Sequence, residues 1–435
     1  MIERYRILTG FFFGALWTLL CYGFVRDEFM PFLGPLQSYA NLLCDLVFLC
    51  LGLVTIRNRS DLLWGGSLVA LAVVSGYINH ESTVTWINGM RDYFGILFTV
   101  PFIRYMLSRP DYAGRFTEQM DKALRWFLYL QVICVTWQFI RYGANDAGGG
   151  TMGYGHSGVV STLIYIVSFY LMVKRWDYDE SYWANLIHNR LLIFLLLPTF
   201  LNETKISFFF FIGYFVFLMK IDRRFFFRLL MAIPLGIVAL AGLLFLYLKA
   251  THIKLETILS EKFYYEYFVG EDIHDLAELG MMVYEEEIET DNFWATDLPR
   301  FGRFILVPDA LATTKGGLML GAGIGQFKGN DVLSETEFAR KNYALVRGSV
   351  PLALAWVIQL GLVGLVWFLA FILHLIFSRD PEPFARNLRF YTLMIFTMIL
   401  AYQDQYALVY YCAIVFYIYL VGLQARQSLT RSVES

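Results

Sequence analysis

Apolar runs of close to twenty residues recur from the start of this chain almost to its end, each long enough to cross roughly 30 Å of hydrocarbon. That pattern restricts the chain to an all-α polytopic membrane protein. Charged residues make up 17% of the sequence, well under the roughly 25% of soluble domains, and hydrophobic residues 57%. The net charge of −2 gives no electrostatic footprint for nucleic acid. About twelve transmembrane helices are predicted, near residues 7–25, 36–56, 62–78, 84–103, 123–141, 156–173, 186–201, 205–219, 226–249, 350–377, 388–402 and 407–423. The first run follows a basic start and is too long for a signal-peptide core, so it reads as a retained span.

Lys and Arg alternate between the connecting segments. One side collects Arg4 and Arg6, Arg57 and Arg59, the group from Arg104 to Arg125, Lys174, Arg175 and Arg190, the group from Lys220 to Arg228, and the basic residues after 378. By the positive-inside rule that side is cytoplasmic, which puts both termini inside. The expected organisation is spans one to nine in 1–250, a long extracytoplasmic loop in 251–349, and three further spans with a cytoplasmic tail in 350–435. The loop holds aromatic clusters, an acidic run, and a second half that alternates apolar stretches with turn signals. Amphipathic helices lying over the outer face are therefore expected, rather than a linker. No internal repeat supports an inverted-repeat transporter. The five cysteines all lie in apolar runs, which suggests neither a disulfide framework nor a thiolate metal site.

Four constellations could carry chemistry. Arg91 and Asp92 fall inside the fourth span, where a charge is costly and should face the protein interior. They read as a structural pair, as an Arg91 snorkelling outward, or as an anion site below the outer surface. In LNETKISFFFF two short apolar stretches flank Glu203 and Lys205, which form either a neutralising pair at a hairpin tip or a base and a phosphate contact. Arg141 precedes a Gly-rich loop that ends at His156. Such backbone can approach a ligand closely, although a lone His at a span end is more often an interfacial residue. In the loop, Arg300 and Arg303 precede GAGIGQF, and Arg347 stands just before the next span. G-x-G-x-G alone is a weak signal, and without a preceding strand a dinucleotide site is rejected. Each Arg alone could be a solvated surface charge, yet Arg is suited to bidentate phosphate contact.

All of these cations fall on or near the outer face, where His80, Glu81 and Asp404 could join them. Several cations and a few candidate bases beneath an extracytoplasmic loop suit a lipid-linked pyrophosphate substrate. Catalysis would rest on stabilising the leaving diphosphate and on a base acting on a hydroxyl. No cluster with metal-ligand spacing calls for a metal or other cofactor.

These motifs resemble the O-antigen polymerase/ligase superfamily of membrane glycosyltransferases. INGMRDYFGILFTVPFIRYM looks like its early Arg-bearing span, NETKISFFFF like its short hairpin motif, and KGGLMLGAGIGQF like its loop signature. RGSVPLALAWVIQLGLVGLVWF looks like its re-entering element, with Gly361 and Gly364 as the G-x-x-G. The resemblance implies a C-type glycosyltransferase-like fold and transfer of an undecaprenyl-diphosphate-linked glycan onto a second lipid-linked unit at the outer face of a bacterial inner membrane. Membrane lipid, a flippase and a chain-length regulator would be partners. Ligases of this group usually carry a His near residues 349–350, which this chain lacks, so a polymerase is expected. On this reading Glu203, His156 and Arg303 are catalytic, and Arg91, Arg141, Lys205, Arg300 and Arg347 bind the diphosphate or glycan. A ligase, a flippase of lipid-linked sugars and a non-catalytic assembly scaffold are the competing readings.

Overall fold

A computed structural model describes residues 2–143, 148–202, 206–219, 227, 230, 234, 298–327, 336–346, 350–376, 383–402, 413–418 and 420. Among these residues there are helices and turns and no strand. The helices are α1 (Ile2–Glu28), α2 (Gln37–Thr55), α3 (Arg59–Ile78), α4 (Thr83–Arg91), α5 (Val100–Ser108), α6 (Pro110–Tyr142) and α7 (Ser157–Lys174). They continue with α8 (Tyr182–His188), α9 (Arg190–Phe194), α10 (Leu197–Leu201), α11 (Ile206–Phe217), α12 (Gly302–Ala312), α13 (Gly317–Leu320), α14 (Glu337–Lys341), α15 (Tyr343–Val346), α16 (Leu352–Ile376) and α17 (Pro383–Tyr402).

Among the described residues six helices, namely α1, α2 with its preceding turn, α3, α6, α7 and α16, are long and apolar enough to cross a membrane, and α8 to α10 make a seventh if their 72° bend lies within one span. The expected segments at 226–249 and 407–423 lie largely outside the described residues, as does the loop from 251 to 297.

Helix α7 is apolar on every side, and residues 159–173 are all buried, so it forms the central post of the bundle. Its polar Ser168 is satisfied inside the core by Leu192 O at 3.1 Å and the Tyr214 hydroxyl at 3.0 Å. The outer helices do the opposite. Leu63 and Tyr77 of α3 are 73% and 82% exposed, a surface suited to lipid rather than to water.

The expected span at 84–103 is not one straight helix. After α4 the chain turns at Asp92 and Tyr93 and then widens into a π-turn at Gly95–Thr99 before α5. Pro101 supplies the reason. It has no N–H to return to residue 97, and its ring would crowd that carbonyl, so the preceding turn opens to accommodate it. Helix α16 is also interrupted, at Gly361, whose φ of 68° and ψ of −170° lie in a region nearly reserved for glycine.

The second half of the long loop is not a linker. Leu306, Val307, Leu311, Ala322, Phe327 and Leu345 form a small core continuous with Leu354 and Ile358 at the start of α16. The loop thus packs onto α16 through shared apolar burial.

Candidate functional site: an interlock between α4, α16 and the GAGIGQF segment

The break in α16 leaves helix carbonyls without their usual partners, a cost that must be met elsewhere in a membrane protein. The GAGIGQF segment meets it. Ala322 N–H donates to Ile358 O at 2.7 Å, and Gly323 N–H to Gln359 O at 3.2 Å. The approach is close enough to require glycine on both sides. A Cβ at Gly361 would lie 2.1 Å from Met319 O, and one at Gly321 would lie 2.7 Å from Ile358 O. Helix α3 clamps the same strand of chain: Ser75 Oγ donates to Leu320 O at 2.7 Å, and Asn79 Nδ2 donates to Gly321 O at 3.0 Å while Asn79 Oδ1 accepts from Gly316 N–H at 3.0 Å.

On the other flank GAGIGQF presses on α4. A Cβ at Gly89 would sit 2.3 Å from Ile324 O, and one at Gly325 would sit 2.1 Å from Thr85 O. The Gly-rich turn points N–H groups at an anion, as such turns do, and the anion is internal: Glu81 Oε1 accepts from Gly325 N–H at 2.6 Å. The backbone of Ile324 bonds the same carboxylate, while Oε2 is buried with no hydrogen-bond partner. Burial outweighs these two bonds and pushes the Glu81 carboxyl up to about 7. Glu81 reaches this position from a helix stop at His80, which takes a left-handed φ of 54°, while Glu81 N–H bonds back to Gly76 O at 2.9 Å.

Arg91 lies at the end of α4. Its carboxylate partner is Asp45 on α2, with Nη2 and Nε at 2.9 and 3.1 Å from Asp45 Oδ2, and Nη1 reaches Asn88 Oδ1 at 3.3 Å. The expected pairing with Asp92 is replaced by one across helices, because a partly buried guanidinium needs a planar acceptor that its sequence neighbour is badly placed to offer. Nearby, Tyr93 donates to Gln359 Oε1 at 2.7 Å and stacks edge-on against Trp356, which ties the broken span to α16.

A second group of residues lies at the C-terminal ends of α1 and α6. Arg141 is half exposed and bonds Glu28 Oε2 at 2.7 Å, which Trp137 Nε1 also reaches at 3.0 Å. The Gly-rich loop after Arg141 turns inward. Gly150 N–H donates to Gln138 Oε1 at 2.8 Å, Thr151 N–H to Gln131 Oε1 at 3.1 Å, and Tyr154 N–H to Asp27 Oδ2 at 2.7 Å. These amides, expected to face a ligand, are bound within the protein. His156 caps α7 with Nδ1 2.9 Å from Tyr154 O. Asn202, which precedes Glu203 in sequence, lies against this loop, with its Oδ1 3.1 Å from where a Cβ on Gly148 would stand.

Arg300 and Arg303 are structural in this conformation. Arg300 donates to Tyr402 O at 2.8 Å and lies 4.1 Å above the Tyr402 ring, joining the loop to the end of α17. Arg303 is fully buried, with Nε 3.2 Å from Leu298 O and Nη1 3.1 Å from Leu345 O. A buried guanidinium spread over carbonyls holds the loop's own fold together and offers no face to solvent. Glu203, Lys205, Arg347 and Asp404 lie outside the described residues.

Sequence reasoning missed Asp45, Glu28, Asn79 and Gln359. Asp45 carried a signal, since an acid inside an apolar run needs a partner. Nothing in the sequence marks Glu28 or Asn79 as clamps. Comparison with protein-family models gives no match, and comparison with curated proteins gives none either.

Proposed function

We propose that this chain is a membrane glycosyltransferase of the polysaccharide-polymerase kind, acting on undecaprenyl-diphosphate-linked glycan at the outer face of a bacterial inner membrane. The observation that carries the reading is the interlock. The Arg-bearing broken span, the GAGIGQF loop and the re-entering helix are far apart in sequence, yet their backbones meet at contacts that only glycine permits. A loop fastened so firmly to the spans is suited to roof a cavity opening to the outer leaflet.

In this proposal the acceptor hydroxyl oxygen bonds to the anomeric carbon of the donor glycan. The bond from that carbon to the diphosphate oxygen breaks, and the hydroxyl proton passes to a base, Glu203 or His156. Arg141 is half exposed and, with Arg91, Lys205 and Arg347, would draw in the diphosphate. Asp45 and Glu28 hold two of these guanidiniums in place before substrate arrives. Arg300 and Arg303 act as positioning residues for the roof. A flippase would supply the lipid-linked units, and a chain-length regulator would set product size.

Purified protein supplied with synthetic undecaprenyl-diphosphate-linked repeat units tests this directly. A ladder of multi-repeat products that weakens in Arg141→Ala and Lys205→Ala is expected. No extension with any lipid-linked repeat would overturn the proposal, and transfer only to an acceptor other than a lipid-linked repeat unit would mark a ligase.

A further inference from the structure

Helices α1 and α6 run parallel, and the groove between their basic-side ends has no assigned role. Their alignment is fixed at both ends, by Tyr5 Oη donating to Gln119 Oε1 at 2.8 Å and by Arg141 and Trp137 donating to Glu28. Between these ties the helices leave a groove of about 380 Å³. Arg6, Gly10, Phe13 and Trp17 line it from α1, and Lys122 and Trp126 from α6.

Three properties of the groove point to one kind of occupant. First, its polarity is graded: the cations Arg6 and Lys122 lie on the side of the basic loops, while Phe13 and Trp17 extend along α1 towards the opposite side. Second, its length is right. Arg6 and Trp17 are eleven residues apart, which is about 16 Å of helix axis, close to half of the roughly 30 Å hydrocarbon core. The groove therefore spans one leaflet from headgroup level to mid-bilayer. Third, its cations are available. Arg91, Arg104, Arg141 and Lys174 are all engaged with carboxylates. The side chains of Arg6 and Lys122 are exposed and have no ion-pair or hydrogen-bond partner among the described residues.

We infer that this groove binds one anionic phospholipid from the leaflet on the basic side, with its phosphate between Arg6 and Lys122 and an acyl chain along Gly10, Phe13 and Trp17. Basic pockets between transmembrane helices recognise anionic headgroups in this way, and Trp126, one turn from Lys122, suits the interfacial depth that Trp favours. The inference is independent of the proposed glycosyl transfer.

Gly10 provides a clean probe, because a Cβ there meets nothing within 4 Å. Gly10→Phe would fill the groove without altering its charge. The test is native mass spectrometry of the full-length protein titrated with phosphatidylglycerol or phosphatidylcholine. Wild type should retain one phosphatidylglycerol in preference to phosphatidylcholine. Arg6→Gln with Lys122→Gln should weaken phosphatidylglycerol retention about fivefold per cation, while phosphatidylcholine retention stays unchanged. Arg6→Lys with Lys122→Arg should keep the preference, and Gly10→Phe should lower occupancy by both lipids. Unchanged phosphatidylglycerol retention in the double Gln variant would overturn the inference. So would displacement of the lipid by millimolar inorganic phosphate, which would reduce the groove to a bare anion contact.

Discussion

Replacing Gly361 with Ala should unfasten the loop from the bundle. At φ 68° and ψ −170° a side chain costs about 1–3 kcal/mol in backbone strain alone. The added Cβ would stand 2.1 Å from Met319 O, so the two backbones must separate. Separation gives up the bonds from Ala322 N–H to Ile358 O and from Gly323 N–H to Gln359 O, each contributing about 0.5–1.5 kcal/mol. Together the loss is about 2–6 kcal/mol, a large part of a typical folding free energy. The assay is an unfolding titration in mixed detergent with limited proteolysis of residues 316–327. Earlier unfolding and faster cleavage in that stretch are expected. Gly10→Ala is the control: with open space around it in a helix, it should be neutral or stabilising by about 0.5–1 kcal/mol. If Gly361→Ala unfolds at the wild-type midpoint and is cleaved no faster, the interlock does not hold the loop and the reasoning fails.

Glu81 gives a pH signature. Its folded carboxyl titrates near 7 against an ordinary 4.5, so its contribution to stability is full below about 4.5 and is lost as pH rises through about 7. Glu81→Gln should flatten that part of the stability–pH curve, and an unchanged curve would remove Glu81 from the account. Asp45→Ala leaves a partly buried Arg91 without its carboxylate and should cost about 2–3 kcal/mol, with much of this recovered in Asp45→Ala/Arg91→Met, as a double-mutant cycle would show. Arg303→Met strips the donors from Leu298 O and Leu345 O and should destabilise the loop by about 2–4 kcal/mol, read as faster proteolysis of residues 298–346. His80→Gly relieves a left-handed non-glycine backbone and should stabilise by about 0.5–1 kcal/mol in the same unfolding titration.

Membrane residence and helical class were legible in the sequence, because hydrocarbon allows so few backbone solutions that run length and charge alternation suffice. The spans α1, α2, α3, α6, α7 and α16 appear where apolar length alone places them. Breaks within spans were less legible. Pro101 hints at one, but Gly361 could be read as an ordinary helix glycine until its partner carbonyl is seen. Partners were not legible at all. Arg91 pairs with Asp45 rather than its neighbour, Arg303 is buried on carbonyls rather than open to solvent, and the amides of both Gly-rich segments are held by Glu81, Asp27 and two glutamines. The reason is physical. A residue's type fixes which partners it needs, but which partner lies within 3 Å depends on how helices distant in sequence pack together, and only the tertiary structure sets that.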